Sequence, residues 1–181
     1  MIFTYNQIIK ENCLKKYKKI NKINYNSYYN SGLSQIKSKV LEFAESLNEQ
    51  FIDQLFNFND IKFIFYSPNT HFSMKYCNGI IIYTESFNNI SKQQHIYLLL
   101  ICIDKHYRKF GYGKLFIEDF IDYIKNINNN NKKIILHPLN KLIDFYKKIG
   151  FTEIITSPYK YRKLFKYEKY DKNALLLELN I

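Results

Sequence analysis

Residues 96–127 read IYLLLICIDKHYRKFGYGKLFIEDFIDYIKNI, and the character of the sequence changes twice along this stretch. The apolar run from Tyr97 to Ile103 has the length of a buried strand and is too short to cross a bilayer. Arg108, Gly111 and Gly113 mark a basic turn. From Lys114 the apolar residues recur at helical spacing: Leu115, Ile117, Phe120, Ile121, Ile124 and Ile127. We therefore expect a strand, a glycine-containing turn and a helix.

Such a turn suits an anionic ligand. The first N–H groups of a helix have no partner within the helix, and the helix dipole is positive at that end. A Walker A loop is excluded, because Leu115 follows Lys114 where Ser or Thr is needed and no upstream glycine fits. A dinucleotide-binding turn is incomplete, because Phe116 stands where the third glycine of G-x-G-x-x-G belongs.

The third kind of phosphate-binding turn fits residues 108–113, RKFGYG. They resemble the Arg-x-x-Gly-x-Gly pyrophosphate loop of the GCN5-related N-acetyltransferase (GNAT) family. Residues 140–151, NKLIDFYKKIGF, resemble that family's next signature, in which Asn opens a helix ending in Tyr-x-Lys-x-Gly-Phe. The resemblance covers Lys62–Phe151, and the residues before it match only in the type of element.

The resemblance implies acetyl-CoA as cosubstrate. Its pantetheine arm would pair with the main chain of Ile101, Cys102 and Ile103, with the Ile103 N–H facing the thioester oxygen. Its pyrophosphate would take hydrogen bonds from the backbone of Lys109–Lys114. The predicted cofactor-binding residues are Ile101, Cys102, Ile103, Arg108, Lys109, Phe110, Gly111, Tyr112, Gly113, Lys114, Asn140 and Tyr146.

The resemblance also implies a direct acetyl transfer, in which an amine attacks the thioester and the CoA thiolate leaves. Tyr146 stands at the family's general-acid position. Asn140 would bond the amide arm of the cofactor, and an ordinary helix N-cap is the alternative. The general base is left open. Tyr97 occupies the position where family members use Glu or His, and His95, Glu85 and a water relay are the other candidates.

The composition places limits on these hypotheses. The chain has 181 residues and a net charge of +11, and we interpret it as one domain, residues 1–181. Its lysines are scattered as on a solvated surface, so we do not expect nucleic acid as the partner. The three cysteines form no C-x-x-C pair, which favours a reducing, cytoplasmic setting. No metal-ligand spacing, signal peptide or membrane span is apparent.

The remaining pattern predicts an α/β fold, a GNAT-like mixed and mostly antiparallel sheet with helices on both faces. The predicted helices are Gln7–Ile20, one long helix capped by Ser31 or Ser34 and continuing to Leu55, Lys114–Ile127, and Asn140–Ile149. The predicted strands are Ile2–Tyr5, Ile61–Tyr66, Ser73–Cys77 and Gly79–Thr84 around a bend at Asn78-Gly79, Tyr97–Ile103, Lys133–His137, Phe151–Ile155 and Ala174–Leu179. Phe87–Gln94, the Asn128–Asn131 run and the basic, aromatic Ser157–Asp171 stretch are predicted loops.

Our main hypothesis is an N-acetyltransferase acting on a small amine, such as an amino sugar, amino acid or polyamine, with a protein amine remaining open. The segment Phe51–Asn59 would line the acceptor pocket, as the resemblance implies, and Glu49, Asp53 and Asp60 are the acidic residues available to a cationic acceptor. The alternative is a non-catalytic module that binds acyl-CoA, or that holds nucleic acid through its basic Tyr159–Lys172 loop. The C-terminal strand is a candidate for pairing between subunits in a homodimer.

Overall fold

The computed structural model describes residues 17–19, 29–45, 47–56, 61–66, 77–88, 93–127, 131–154 and 175–181. These form two compact units. The first unit comprises residues up to Ile82 and Leu100–Gly113, and the second comprises Tyr83–Leu99 and Lys114–Ile181. The predictions for Ile2–Tyr5, Asp60, residues 67–76 and the Ser157–Asp171 loop lie outside the described residues. That the chain is a single domain stays a prediction.

Where it is described, the first unit has two helices and four strand segments in the order β1-β2-β3-β4. The elements are β1 Tyr17–Lys19, α1 Tyr29–Phe43, α2 Glu49–Phe56, β2 Lys62–Tyr66 and the first residues of β3 Gly79–Asn88, with the last residues of β4 Gln93–Ile103. β1 pairs with β2 in antiparallel register, Tyr17 opposite Tyr66. The buried side chains of this unit include Val40, Phe43, Ile52, Leu55, Ile64 and Phe65.

Two helix predictions in the first unit are wrong. The predicted long helix is two helices, because the chain leaves helical geometry after Phe43 and Asn48 begins a new one. The Asn48 side-chain oxygen accepts the Gln50 N–H at 2.9 Å, which is a local cap. Since α1 begins at Tyr29, neither Ser31 nor Ser34 is its cap. The predicted helix Gln7–Ile20 is also wrong where it is described, because Tyr17–Lys19 is strand.

The bend predicted at Asn78-Gly79 is wrong as well. Gly79 is the first residue of β3, and neither Asn78 nor Gly79 has the positive φ that a two-residue hairpin turn requires. Asn78 instead joins three elements, since its N–H donates to Tyr66 O and its carbonyl accepts from the Asp104 N–H. The predicted loop Phe87–Gln94 is shorter than expected, because β3 continues to Asn88 and β4 begins at Gln93.

The second unit has the strand order β3-β4-β5-β7-β6. Its elements after β4 are α3 Tyr112–Asn126, β5 Lys132–Leu136, a 3₁₀ helix Asn140–Leu142, α4 Ile143–Ile149, β6 Thr152–Glu153 and β7 Leu177–Asn180. β4 runs parallel to β5, whereas β7 is antiparallel to both β5 and β6. The four-residue connection between β3 and β4 is too short for a parallel crossover, so that pair is antiparallel too. The predicted mixed, mostly antiparallel α/β sheet is confirmed.

The predicted helix after the turn is confirmed as α3, beginning two residues earlier than expected. Ile117, Phe120, Ile121 and Ile124 are buried as predicted, while Leu115 is only partly buried and Phe116 is fully enclosed. The edge of the Phe120 ring packs on Tyr83 of β3, with 5.2 Å between ring centroids. At the other end of α3, the buried Lys132 ammonium donates to the Ile124 carbonyl and so satisfies one of the terminal carbonyls.

Gly150 ends α4 as predicted. Its φ of 111° is left-handed, and its N–H donates back to the carbonyls of Tyr146 and Lys147. A Cβ at this position would lie 3.6 Å from Leu179 Cδ1, an ordinary contact, so the obstacle to another residue is backbone strain.

Gly150→Ala should therefore lower the free energy of unfolding by about 1–2 kcal/mol, the cost of an alanine in left-handed geometry. Gly150→Asn should cost less, because asparagine tolerates this geometry. Urea denaturation of the three proteins measures the differences. An alanine variant as stable as wild type would mean that the chain ends α4 in another way.

Candidate functional site

The candidate site begins where β4 continues beyond its neighbour. The register of β4 with β5 ends at Leu98 opposite Leu136, and β4 then continues for five residues to Ile103. The Asp104 N–H donates to Asn78 O, toward β3. Because successive N–H groups of a strand point to opposite sides, those of Ile103 and Ile101 point away from β3. The family resemblance predicts that the pantetheine arm pairs with this edge.

The sulfur of Cys102 does not belong to this edge. Cys102 is buried as predicted, and its Sγ lies 3.7 Å from Ile80 O, toward β3. Burial raises the pKa of the Cys102 thiol well above its usual range, and it also raises that of Cys77 to about 11. Both thiols are therefore protonated at neutral pH and poor nucleophiles. By the alternation described above, the Cys102 N–H also points toward β3, so the residues whose N–H groups face the open edge are its neighbours Ile101 and Ile103.

The turn after β4 is built from a short 3₁₀ helix and a loop. Asp104 caps the 3₁₀ helix Lys105–Tyr107, its carboxylate accepting the His106 N–H at 2.9 Å. The N–H groups of Tyr107 and Arg108 are used within the turn, by Asp104 O and Lys105 O. In the described part of the chain, the N–H groups of Lys109, Phe110 and Gly111 find no acceptor.

Two residues of this loop have left-handed main-chain geometry. Lys109 has a φ of 68° and Gly111 a φ of 85°, whereas Arg108 is extended, with φ −71° and ψ 157°. Tight turns with left-handed residues can direct successive N–H groups to one side, as in the concave anion sites that such turns form. Lys109 adopts this geometry although it is not glycine, at a cost of about 1–2 kcal/mol. The loop therefore stores strain in the conformation that presents its amides.

Charge and exposure around the loop favour an anion. The first turn of α3 carries no acidic residue, and the Lys109 side chain makes no ion pair within the described residues. The Lys114 ammonium lies 3.6 Å from the Glu118 carboxylate, which offsets part of its charge. The Tyr112 ring is buried against Tyr107, with 5.6 Å between centroids, so only its main chain faces a ligand. Phe110 is 61% exposed.

The Arg108 guanidinium is bonded within the protein. It donates two hydrogen bonds to main-chain carbonyls, those of Ile103 and Phe43, and its contact with the cofactor stays a prediction. No sequence pattern indicated these partners.

The predicted general acid, Tyr146, lies in the second unit, where other residues of the same sequence motif contact it. Its ring meets the edges of Phe145 and Phe151 at centroid distances of 5.0 and 5.6 Å, and its carbonyl accepts the N–H groups of Gly150 and Phe151. Burial raises the pKa of the Tyr146 phenol to about 12. The phenol is thus neutral and able to donate, and within the described residues its hydroxyl has no hydrogen-bond partner.

Asn140 is exposed and opens the 3₁₀ helix that precedes α4. Its side chain caps neither helix, because the residues at the two cap positions are Leu139 and Leu142 and neither makes a side-chain cap bond. The N-cap interpretation of Asn140 is therefore wrong, and contact with the amide arm of a cofactor stays a prediction.

The candidate bases differ in burial. His95 is buried, only 3% exposed, and its Nε2 lies 3.3 Å from Gln93 Oε1. Tyr97 is buried in an apolar cluster with Ile135 and Leu176. Glu85 is partly buried, and its carboxylate accepts from Gln94 Nε2 at 3.1 Å. These positions do not single out a base.

The described ranges contain no group of three His, Cys, Asp or Glu side chains placed to hold a metal ion. No helix in the same ranges combines the length and apolar character needed to cross a bilayer.

Comparison with known proteins extends these observations. The sequence profile described as acetyltransferase (GNAT) domain matches residues 39–173. No curated protein matches the chain significantly. The fold is similar to that of Tetrahymena GCN5, at 16% identity and a TM-score of 0.63 over 92% of this chain and 96% of that one. It is also similar to a GNAT-family acetyltransferase of Staphylococcus aureus Mu50, at 20% identity and a TM-score of 0.58 over 91% of this chain and 98% of that one.

A third similar structure is Arabidopsis thaliana NAA60 in complex with acetyl-CoA, at 16% identity and a TM-score of 0.53 over 91% of this chain and 97% of that one. At these identities the structures support the fold alone. The sequence profile is the stronger finding, because its match spans well over half of the 181 residues and includes both signatures. The chain therefore belongs to the GNAT acetyltransferase family.

Proposed function

We propose that this protein transfers an acetyl group from acetyl-CoA directly to a primary amine. Membership of the GNAT family supports acetyltransfer and acetyl-CoA as the cosubstrate. The amine and the residue roles are the proposal. The observation that carries them is the end of β4 and the turn that follows it. β4 continues beyond the residues that pair with β5, and in the turn three consecutive amides have no acceptor in the described chain.

This arrangement suggests how acetyl-CoA binds. The pantetheine arm pairs with the main chain of Ile101–Ile103 as an added strand, and the pyrophosphate accepts hydrogen bonds from the loop amides and the first amides of α3. Asn140 contacts the amide arm. The Ile103 N–H points to the same side as the arm and stabilises the oxyanion that forms when the amine attacks the thioester carbonyl.

Collapse of the tetrahedral intermediate expels the CoA thiolate, and Tyr146 donates to it. A thiol has a pKa of about 8.5, well below that of the buried phenol. Complete proton transfer from Tyr146 is therefore uphill, and the phenol acts chiefly as a hydrogen-bond donor to the departing sulfur. The ammonium of the acceptor loses its proton to a base that we leave open among His95, Tyr97, Glu85 and a water relay.

The acidic side chains near α2 bear on the acceptor. Glu49 and Asp53 were the available partners for a cationic acceptor, but both face the Lys37 ammonium. The Lys37–Asp53 pair raises the pKa of Lys37, so the lysine stays charged and offsets the two carboxylates. An amino acid or amino sugar, with one amine to acetylate, thus suits this region better than a polyamine.

An acceptor screen tests the proposal. Acetyl-CoA at about 100 times its Kd should stabilise the protein by about 2.7 kcal/mol and raise its Tm by about 5–10 °C. Thiol release with a panel of amines should then show higher kcat/KM for amino acids or amino sugars than for polyamines. Binding without turnover across the panel would favour the non-catalytic module. No change in Tm, together with salt-dependent RNA binding, would favour the nucleic-acid alternative.

A further inference from the structure

The first residue of the loop signature, Arg108, is bonded within the protein. Its Nε donates to Ile103 O at 2.9 Å, and its Nη2 donates to Phe43 O. Ile103 is the last residue of β4, and Phe43 is the last residue of α1, distant in sequence. One side chain therefore connects the start of the loop to the end of a strand and the end of a helix, an arrangement that we call the Arg108 bridge.

The geometry of the bridge uses the planarity of arginine. Nε–H and Nη2–H lie along one edge of the guanidinium, the edge that also takes a phosphate or carboxylate side-on. In the bridge this edge is filled by two carbonyl oxygens. The Phe43 carbonyl is one of the terminal carbonyls that a helix leaves unsatisfied, at the negative end of its dipole, so a cation is favourable there.

A second contact joins the same two segments. The Lys105 ammonium lies 3.5 Å from the Glu45 carboxylate, just beyond the end of α1. Both side chains are more than half exposed, and pairs of this kind contribute little in water. Among the described polar contacts between the turn and the end of α1, the Arg108 hydrogen bond is therefore the stronger one.

We infer that Arg108 is a positioning residue. Its hydrogen bonds hold the start of the loop, so that the strained Lys109 and the two residues after it keep the conformation in which their amides have no acceptor in the described chain. Its charge on the pyrophosphate is secondary. That the loop binds the pyrophosphate of acetyl-CoA rests on the proposed function. The bridge itself is present without a ligand and can be tested without one.

Two substitutions separate positioning from charge. Arg108→Lys keeps the cation but loses the planar fork, since one ammonium does not reproduce two parallel N–H groups on adjacent nitrogens. Arg108→Gln loses the charge as well. In the ligand-free protein, hydrogen exchange should become faster in peptides covering the turn 104–111 and in those covering the end of α1. Both variants should show this, and the exchange of α3 should be unchanged.

Acetyl-CoA binding at several salt concentrations gives the second measurement. Both Arg108 variants should bind roughly tenfold more weakly, as expected for lost hydrogen bonds of a charged group, and Arg108→Gln should keep most of the wild-type salt dependence. The matched control is Lys109→Met, which removes the neighbouring cation. It should weaken binding with a reduced salt dependence and leave hydrogen exchange near α1 unchanged.

The inference is overturned if Arg108→Lys binds acetyl-CoA like wild type, or if Arg108→Gln leaves hydrogen exchange unchanged in both segments. Either result would return Arg108 to a charge-bearing role or to none. Should the wild-type protein itself fail to bind acetyl-CoA, the proposed function fails, while the exchange measurement still decides the role of Arg108.

Discussion

Gly111→Val should abolish acetyl-CoA binding and leave the protein folded. Gly111 has a φ of 85°, a geometry that a β-branched residue adopts only as an outlier. A valine there must move the backbone toward negative φ, which changes the direction of the neighbouring loop amides. We expect the Kd for acetyl-CoA to rise by at least about 100-fold, since the loss of two charge-assisted hydrogen bonds at about 1.5–3 kcal/mol each suffices for that.

The fold should survive the substitution. A Cβ at Gly111 would meet no heavy atom within 4 Å, so no neighbour blocks the first side-chain atom. The strain of about 1–2 kcal/mol is small beside a typical free energy of unfolding of about 5–15 kcal/mol. Urea denaturation should thus show a folded, slightly less stable protein, and calorimetric titration should show no binding.

Gly113→Ala is the matched control. Gly113 belongs to the first turn of α3 and its φ is not positive, so alanine fits the helix and is favoured there by intrinsic propensity. We expect this variant to bind acetyl-CoA within about twofold of wild type. A Gly111→Val protein that also binds normally would show that the pyrophosphate is held elsewhere and would remove the loop from the site.

The glycines of this chain show which features a short sequence pattern can predict. Gly111 and Gly150 were identified by local signatures, and both have positive φ in the structure. The conformation of such a residue is set within a few neighbours, so a short pattern carries enough information. The hairpin turn predicted at Asn78-Gly79 is wrong because the conformation there depends on residues distant in sequence. Main-chain hydrogen bonds of Asn78 with Tyr66 and Asp104 take the place of a turn.

Longer-range features were not accessible from the sequence. The Arg108 bridge joins residues that no spacing rule relates, and its second acceptor is a main-chain carbonyl, which every residue has. The break between α1 and α2 was missed because the apolar stripe continues across it, and the cap at Asn48 is a weaker signal than the stripe. The burial of His95 depends on the strands around it.

Tyr146→Phe should lower kcat by about 100-fold and change the Kd for acetyl-CoA by less than about twofold. The substitution removes one hydroxyl and keeps the ring, so the contacts with Phe145 and Phe151 remain. Since the described residues provide no partner for that hydroxyl, its loss leaves no protein group there newly unsatisfied, and stability should not fall. Single-turnover acetyl transfer to the best amine of the screen is the measurement.

The pH dependence gives a second check on Tyr146. Because burial raises the pKa of this phenol to about 12, the donor stays protonated throughout the range from pH 7 to pH 10. The deficit of Tyr146→Phe relative to wild type should therefore be constant across that range. A deficit that disappears at high pH would mean that the phenol titrates far below its expected range. A variant with unchanged kcat would remove Tyr146 from the mechanism.

Phe151 allows a stricter test, because it touches Tyr146 and carries no hydrogen-bonding side-chain group. Phe151→Leu should remove the edge contact that orients the Tyr146 ring and lower kcat through misplacement of the hydroxyl. If Phe151 acts on catalysis only through the Tyr146 hydroxyl, Phe151→Leu should not lower kcat further in a protein that already carries Tyr146→Phe. The double variant should then be no slower than Tyr146→Phe alone, a non-additivity expected of residues acting as a unit. Additive losses would instead assign Phe151 an effect on the site that is independent of Tyr146.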